Sequence, residues 1–222
     1  MPCKQPKFAS SQQIITTTGL YPLSNNCYVG VIQNVLPINN RDNYLKKSMQ
    51  VSREQSIGAF NSLKPRFEVC YTIDGEPYKY SGKKHYTTIF PDHVSKLIPT
   101  LLNKFQQLLS EKNIINNYIQ TSNSVDILYC DKIPLGGSIA AHKDDEHSDW
   151  GLVLIYSLGQ TRWIRVRSDE TKQFYNVRMD DNSLVAMYGK DFQKLFTHQV
   201  DKLNKNEEIG TRLSLNIRFL PE

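Results

Sequence analysis

Apolar residues follow a helical spacing in one long segment of the chain. In residues 91–113 they recur with the i, i+3, i+4, i+7 pattern of an amphipathic helix. The apolar positions are Val94, Leu97, Ile98, Leu101, Leu102, Phe105, Leu108 and Leu109. Asp92 after Pro91 is predicted to cap the helix, and Pro99 to bend it or to set its effective start. We expect a scaffold helix that faces the core and carries no chemistry.

After residue 120 the apolar pattern becomes short and typical of strands. The turn residues Gly136-Gly137, Gly159-Gln160, Asp181-Asn182 and Gly189-Lys190 separate the segments. The predicted strands are 124–130, 137–144, 151–159, 161–168, 173–179, 183–189 and 212–220. Seven short strands at this spacing indicate a sandwich or a jelly roll.

The first half of the chain mixes helix and strand patterns. Residues 28–37 are predicted to form a strand, and residues 39–48 a polar turn that leads into a short helix. The fold class is therefore α+β, and the length of 222 residues fits a single domain. Within it, we expect residues 1–115 to form an N-terminal extension with the scaffold helix, and residues 120–222 to form the β core.

Composition limits the class of protein only modestly. The net charge of +5 suits a polyanion such as nucleic acid, although an ordinary basic surface explains it equally well. None of the four cysteines forms a CxxC pair, so free thiols in a reducing compartment are expected. The chain begins without the apolar run of a signal peptide and has no window for a membrane span. We expect an intracellular monomer, cytoplasmic or nuclear.

One short motif suggests a metal site. His142 and Asp144 are two residues apart, so on a strand both side chains would point to the same face. They supply two thirds of the 2-His-1-carboxylate triad that holds non-haem Fe(II). His198, in "KLFTHQV", is the best candidate for the third ligand. An HxD pair often occurs by chance, and His198 could instead be a surface or core-edge histidine.

The last predicted strand alternates strictly. Leu213, Leu215, Ile217 and Phe219 point one way, and Arg212, Ser214, Asn216 and Arg218 point the other. The polar side could be a solvated outer face. If it instead faces inward, the two arginines must meet anions. They are about 20 Å apart along an extended strand, which leaves room between two long side chains for a short dicarboxylate such as 2-oxoglutarate, and Arg pairs bidentately with carboxylates.

The order HxD, distal His and RxxxxxR resembles the AlkB family of Fe(II)/2-oxoglutarate dioxygenases, most closely its nucleic-acid repair branch. "HKDDE" (142–146) and "RLSLNIR" (212–218) are similar to that branch's two site motifs. "SREQSIGAF" (52–60) and "EPYKYSG" (76–82) resemble elements of its nucleotide-binding lid. The resemblance covers about residues 50–220. It implies a double-stranded β-helix (jelly-roll) core with an N-terminal α/β extension that forms a nucleotide-recognition lid.

The resemblance also implies roles for individual residues around the metal. His142, Asp144 and His198 would be the iron ligands. Arg212 would pair with the distal carboxylate of 2-oxoglutarate and Arg218 would lie near its metal-side end. Three further residues are assigned to the cosubstrate site, namely Tyr129, Ser214 (where the family has Asn) and Asn216.

A second set of residues would contact the nucleic acid. Tyr80 and the ring of His142 would sandwich a flipped base, and Tyr78 would contact the base through its hydroxyl. Asp145 and Glu146 would read the polar edge of the base or position Arg218. Arg53, in the lid-like motif, would contact the substrate's phosphate backbone.

The function that follows is oxidative demethylation of N-alkylated bases such as 1-methyladenine and 3-methylcytosine, in DNA or RNA. The implied cofactor is Fe(II), with 2-oxoglutarate and O2 as cosubstrates, and the products are formaldehyde, succinate and CO2. Two alternatives remain open at this point. One is a dioxygenase of the same fold that acts on a protein or a small molecule, and the other is a catalytically silent module that binds nucleic acid.

Overall fold

A computed structural model describes residues 12–24, 26–49, 54–57, 63–72, 74–75, 77–80, 83–85, 87–115, 118–130, 138–144, 151–201 and 210–221. The first half contains strands β1 (Gln12–Ile15), β2 (Gly19–Pro22) and β3 (Tyr28–Ile32), helix α1 (Ile38–Met49), strands β4 (Glu54–Ile57), β5 (Leu63–Thr72), β6 (Tyr78–Tyr80), β7 (Lys83–His85) and β8 (Thr87–Ile89), and helix α2 (Asp92–Ser110). The second half contains strands β9 (Tyr118–Cys130), β10 (Ile139–His142), β11 (Leu152–Gly159), β12 (Arg162–Ser168), β13 (Phe174–Met179) and β14 (Ser183–Tyr188), the short helix α3 (Phe192–Leu195), and strands β15 (Phe196–Val200) and β16 (Arg212–Pro221).

Two sheets form the core of the molecule. The smaller sheet has the order β1-β13-β12-β15-β10, and the larger has the order β2-β3-β14-β11-β16-β9-β5-β4, with β8 paired to β5. The crossings between non-consecutive strands are those of a double-stranded β-helix, and the helices are few. The predicted α+β class and jelly-roll core are therefore confirmed, and strands form within all seven segments predicted after residue 120. The nucleotide-recognition lid stays a prediction.

Helix α2 packs against the outer face of the larger sheet. Its eight predicted apolar residues are all buried, and they share one apolar cluster with Leu213, Leu215, Ile217 and Phe219 of β16. The prediction that Asp92 caps the helix is wrong, because Pro91 occupies the N-cap and makes no side-chain capping bond. The helix begins at Asp92 and continues through Pro99, so Pro99 does not set its start.

A second apolar cluster lies between the two sheets. It includes Val153 and Ile155 of β11 and Ile164 and Val166 of β12. Because Leu152 and Leu154 of the same β11 strand face α2 instead, β11 is buried on both sides. This double burial explains its nearly continuous apolar sequence.

The predicted strand at 28–37 is too long, because β3 ends at Ile32. The chain turns at Asn34, which has a φ of 54°, and the Val35 amide then donates to the carbonyl of Asn182 at 3.0 Å. Helix α1 begins at Ile38 and therefore includes the residues predicted as a polar turn. Asn182 also fixes this connection through its side chain, which bonds both main-chain groups of Leu36.

Gly159 lets β16 begin next to the turn that follows β11. It has a φ of +81°, and a Cβ at this position would lie 2.2 Å from the carbonyl oxygen of Thr211. Gly159 pairs with Arg212 in the sheet. Any larger residue would therefore displace the start of β16, where Arg212 lies.

Cys27 and Cys70 are buried thiols rather than disulfide partners, as the sequence predicted. Along the described parts of the chain, no helix combines the length and the apolar character that a membrane span requires.

Candidate metal centre and cosubstrate pocket

Two histidines face each other across neighbouring strands. His142 ends β10 and pairs directly with His198 of β15, and their ring centroids are 4.2 Å apart. His198 is 5% exposed, so the alternative of a surface histidine is wrong. Asp144 was predicted to share a strand with His142, but it lies two residues beyond the end of β10.

The three side chains nevertheless converge. The Nε2 atoms of His142 and His198 lie 3.5 Å and 3.9 Å from Oδ1 of Asp144, and one ligand atom from each residue falls within 4.8 Å of the others. Two imidazoles and one carboxylate form the donor set of a non-haem Fe(II) centre. The three residues that the sequence singled out thus lie together as a group that could hold a metal ion.

The donor atoms are oriented for a cation. Nδ1 of His142 lies 2.9 Å from the carbonyl oxygen of Ala140, which places the proton on Nδ1 and leaves the Nε2 lone pair pointing inward. Oδ1 of Asp144 is buried and has no hydrogen-bond partner among the described residues. A buried carboxylate oxygen without a donor is costly unless a cation binds it. These residues therefore fit a divalent metal.

The surroundings of the centre keep Asp144 ionised and His198 neutral, the protonation states that a metal needs. Burial alone would raise the pKa of Asp144, but the charge of Arg218 holds the pKa well below its usual range. Burial lowers the pKa of His198 to about 3, so its imidazole is neutral. Burial also opposes protonation of His142, but the neighbouring carboxylate of Asp144 raises its pKa above the ordinary value, so a metal would displace a proton there.

The polar side of β16 faces inward to this centre. Arg212, Ser214, Asn216 and Arg218 line the same pocket as the metal-ligating triad, so the alternative of a solvated outer face is wrong. Arg218 is 3% exposed, and its Nε lies 3.3 Å from Oδ2 of Asp144. Arg212 is 5% exposed and donates to Oγ of Ser157 at 3.2 Å.

Apolar side chains form the other walls of the pocket. They come from both sheets: Ile139, Val153, Ile155, Ile164, Met179, Met187 and Val200. Such walls exclude water and strengthen every charge interaction between them. The pocket is therefore suited to hold a small anion between the arginines and the triad.

Sequence reasoning missed two kinds of contributor to this pocket. Glu68 and Cys70 of β5 line it, whereas Val69 and Tyr71 face the α2 cluster. The sequence of β5 contains this alternation, but β5 was not predicted as a strand. Gln193 was also missed. Its Oε1 accepts a hydrogen bond from the main-chain N–H of Asp144 at 3.1 Å, and no spacing rule predicts such a contact.

Six predicted site residues have side chains outside the described part of the structure. Tyr78 and Tyr80 lie in β6, which pairs with β7. Tyr129 lies in β9 and pairs with Leu213, in the apolar row of β16. The side chains of these three tyrosines lie outside the described structure, as do residues Arg53, Asp145 and Glu146 altogether. Their roles stay predictions.

The fold and the site together define an iron- and 2-oxoglutarate-dependent oxygenase. The sequence model of the 2OG-Fe(II) oxygenase superfamily matches residues 29–218, and the chain belongs to this superfamily. Its members use Fe(II), 2-oxoglutarate and O2, in agreement with the His-Asp-His set described above.

Among solved structures, the chain is similar to the structure of OsALKBH1. Its structure superposes with a TM-score of 0.62 and covers 86% of this chain and 97% of that chain, at 13% sequence identity. The fold is therefore that of an AlkB homologue, as the sequence resemblance implied. No curated protein matches the chain.

Proposed function

We propose that this protein oxidatively demethylates N-alkylated bases, such as 1-methyladenine and 3-methylcytosine, in DNA or RNA. The observation that carries the proposal is that the His142, Asp144 and His198 triad shares one buried pocket with Arg212 and Arg218. A metal site alone would serve many reactions. Two buried guanidinium groups line the same pocket, and 2-oxoglutarate has the charge and length that suit them.

The roles of the pocket residues follow from their contacts. His142, Asp144 and His198 would hold Fe(II), which together with 2-oxoglutarate and O2 supplies the oxidation of a C–H bond with release of succinate and CO2. Arg212, at the start of β16, would pair with the distal carboxylate of 2-oxoglutarate. Arg218 keeps Asp144 ionised, and the apolar walls keep water from the reacting groups.

The choice of nucleic acid rests on different support. The "HKDDE" and "EPYKYSG" motifs are similar to those of the repair branch, and the chain carries a net charge of +5. The likeness to OsALKBH1 is consistent with this choice. A stacked base cannot reach a buried centre, so it must be flipped out at a cost of a few kcal/mol. Stacking on Tyr80 would offset about 1–3 kcal/mol of that cost.

The remaining substrate contacts complete the proposal. Tyr78 would bind the flipped base through its hydroxyl, and Arg53 would contact the backbone phosphates. Asp145 and Glu146 would favour a cationic lesion such as 1-methyladenine, because a carboxylate attracts the positive charge on the ring. Oxidation converts the N-methyl group to a hydroxymethyl group, which leaves as formaldehyde and restores the unmodified base.

The test is formaldehyde release from a panel of methylated DNA and RNA oligonucleotides, with Fe(II) and 2-oxoglutarate each omitted in turn. We expect release that requires both and is lost in His142→Ala. His93→Gln is the matched control, because His93 lies on α2, outside the pocket. Turnover of 2-oxoglutarate without demethylation of any oligonucleotide would favour a protein or small-molecule substrate. Salt-dependent binding of nucleic acid without iron binding would favour a silent module.

A further inference from the structure

The sheet does not hold the main chain of Asp144. Strand β10 ends at His142, and within β10 the register already shifts between Ile139 and His142. Asp144 therefore depends on contacts outside the ladder. Its carboxylate meets Arg218, and its main-chain N–H meets the side chain of Gln193.

The Gln193 contact is built into the core. Gln193 is 2% exposed, and its Oε1 lies 3.1 Å from the Asp144 nitrogen. It belongs to the one-turn helix α3, which Phe192 and Phe196 anchor with rings that are 5.0 Å apart and almost fully buried. A main-chain N–H can only donate, so the amide oxygen must face Asp144. The acceptor is therefore both correctly oriented and held by packing.

A second contact ties the same turn to α3. The Nζ of Lys143 lies 2.6 Å from the carbonyl oxygen of Lys194 and 2.5 Å from Oδ2 of Asp169. The amide of Asp169 in turn donates to the carbonyl of Leu195 at 2.9 Å. Helix α3 leads directly into β15, which carries His198. Helix α3 thus contacts the segment that carries Asp144 and directly precedes the strand that carries His198.

We propose that Gln193 is a positioning residue for the metal centre. Its amide oxygen fixes the main chain of Asp144 relative to His198, so that Oδ1 of Asp144 faces both imidazoles. The inference rests on the metal site of the proposed function, but it does not depend on the substrate. It therefore extends the triad by a residue that touches neither metal nor substrate.

The experiment measures Mn(II) binding. Mn(II) is a redox-stable probe, and electron paramagnetic resonance measures the concentration of the unbound ion. In Gln193→Met the side chain keeps its volume but loses the acceptor, and we expect Mn(II) affinity to fall about 10–100-fold. Gln193→Glu keeps an acceptor at the same reach, and we expect it to restore most of the affinity. Gln199→Met is the matched control, because Gln199 is next to His198 but bonds Asp201, and its affinity should equal that of the wild type.

The outcomes separate the two levels of inference. Wild-type affinity in Gln193→Met overturns the positioning role and leaves the metal site intact. Equal loss in the Met and Glu variants also overturns it, because an acceptor would then not suffice. If Gln193→Met does not fold, Gln193→Asn carries the same expectation, since it withdraws the oxygen by one methylene. Failure of the wild-type protein to bind Mn(II) removes the metal site itself, and the inference with it.

Discussion

The two carboxylate oxygens of Asp144 face different partners. Oδ2 lies 3.3 Å from Nε of Arg218, whereas Oδ1 faces the Nε2 atoms of both His142 and His198. One oxygen is therefore held by a fixed cation, and the other is directed to the point where a metal would bind. This division allows a buried carboxylate to stay ionised before any metal arrives.

Removing the fixed cation should make the protein depend on metal for stability. In Arg218→Met the carboxylate of Asp144 loses its buried partner, which we expect to cost about 3–5 kcal/mol of unfolding free energy without metal. Excess Mn(II) should restore more stability in this variant than it adds to the wild type, because the ion replaces the missing positive charge. Urea denaturation with and without Mn(II) measures both quantities.

Arg162→Met is the control for this prediction. Arg162 is also buried, but its Nη2 donates to the carbonyl oxygen of Asp201, away from the triad. We expect it to lower stability while the Mn(II)-dependent increase stays at the wild-type value. If Mn(II) raised the unfolding free energy of Arg218→Met by no more than it raises that of the wild type, the assigned role of Arg218 would be contradicted.

Arg212→Lys should weaken the binding of 2-oxoglutarate and leave metal binding unchanged. Lysine keeps the charge but not the planar fork that pairs with a carboxylate at two points. Losing a charge-assisted hydrogen bond of about 1.5–3 kcal/mol raises the dissociation constant of 2-oxoglutarate roughly 10–100-fold. Calorimetric titration of 2-oxoglutarate into the Mn(II)-loaded protein checks this. Unchanged 2-oxoglutarate affinity would exclude Arg212 from the cosubstrate site.

Asn182 should be one of the most sensitive positions outside the pocket. Its side chain bonds the N–H and the carbonyl of Leu36 at 3.1 Å and 2.8 Å and accepts from the hydroxyl of Tyr156 at 2.9 Å. Losing these bonds in Asn182→Ala should cost about 3 kcal/mol of unfolding free energy. Asn182 also has a φ of 56°, so Asn182→Gly should be about 1 kcal/mol less damaging than Asn182→Ala. Equal denaturation curves for the two variants would show that backbone conformation contributes nothing.

His93 should make the protein less stable at acid pH. Burial, with a contribution from Lys47, lowers the pKa of His93 below its ordinary value of 6.5, and its ring packs 5.5 Å from that of Tyr44. The unfolded chain therefore binds a proton at a higher pH than the folded chain does. The stability due to neutral His93 is complete above pH 6.5 and is lost as the pH falls from there toward the lower folded pKa. Urea denaturation of wild type and His93→Phe at pH 7.5 and pH 5 should show the smaller acid loss in the variant.

The sequence predicts the elements whose apolar residues repeat with the regular spacing of a helix or a strand. Helix α2 and strand β16 each bury one regular apolar row, so their periodicity sufficed. The turn residues Gly159-Gln160, Asp181-Asn182 and Gly189-Lys190 likewise lie at the ends of strands, although β15 was not among the predicted strands. The family resemblance then predicted a specific metal centre from an HxD pair and a distal histidine, and the structure brings the three residues together.

The parts that were missed depend on neighbours instead. The first part of β9, residues 118–123, was not predicted because four of its six residues are polar, and it belongs to the strand because β16 pairs with its main chain. Gln193 acts through a hydrogen bond to a main-chain N–H, which leaves no trace in residue spacing. Asp144 reaches the centre from beyond the end of its strand, although the two-residue spacing suggested a regular one.

The position of β10 in its sheet has a consequence for the binding and release of a metal ion. In the described structure β10 is the outermost strand of the smaller sheet and has β15 as its one neighbour there. It carries His142 and leads into Asp144, so the segment that supplies two of the three donors lies at an edge of the sheet, where local opening breaks fewer contacts than at its centre. We therefore expect release of the ion to need a local opening of this edge and not global unfolding. The fraction of protein whose β10 amides take up deuterium slowly would thus measure the fraction that has bound a metal ion.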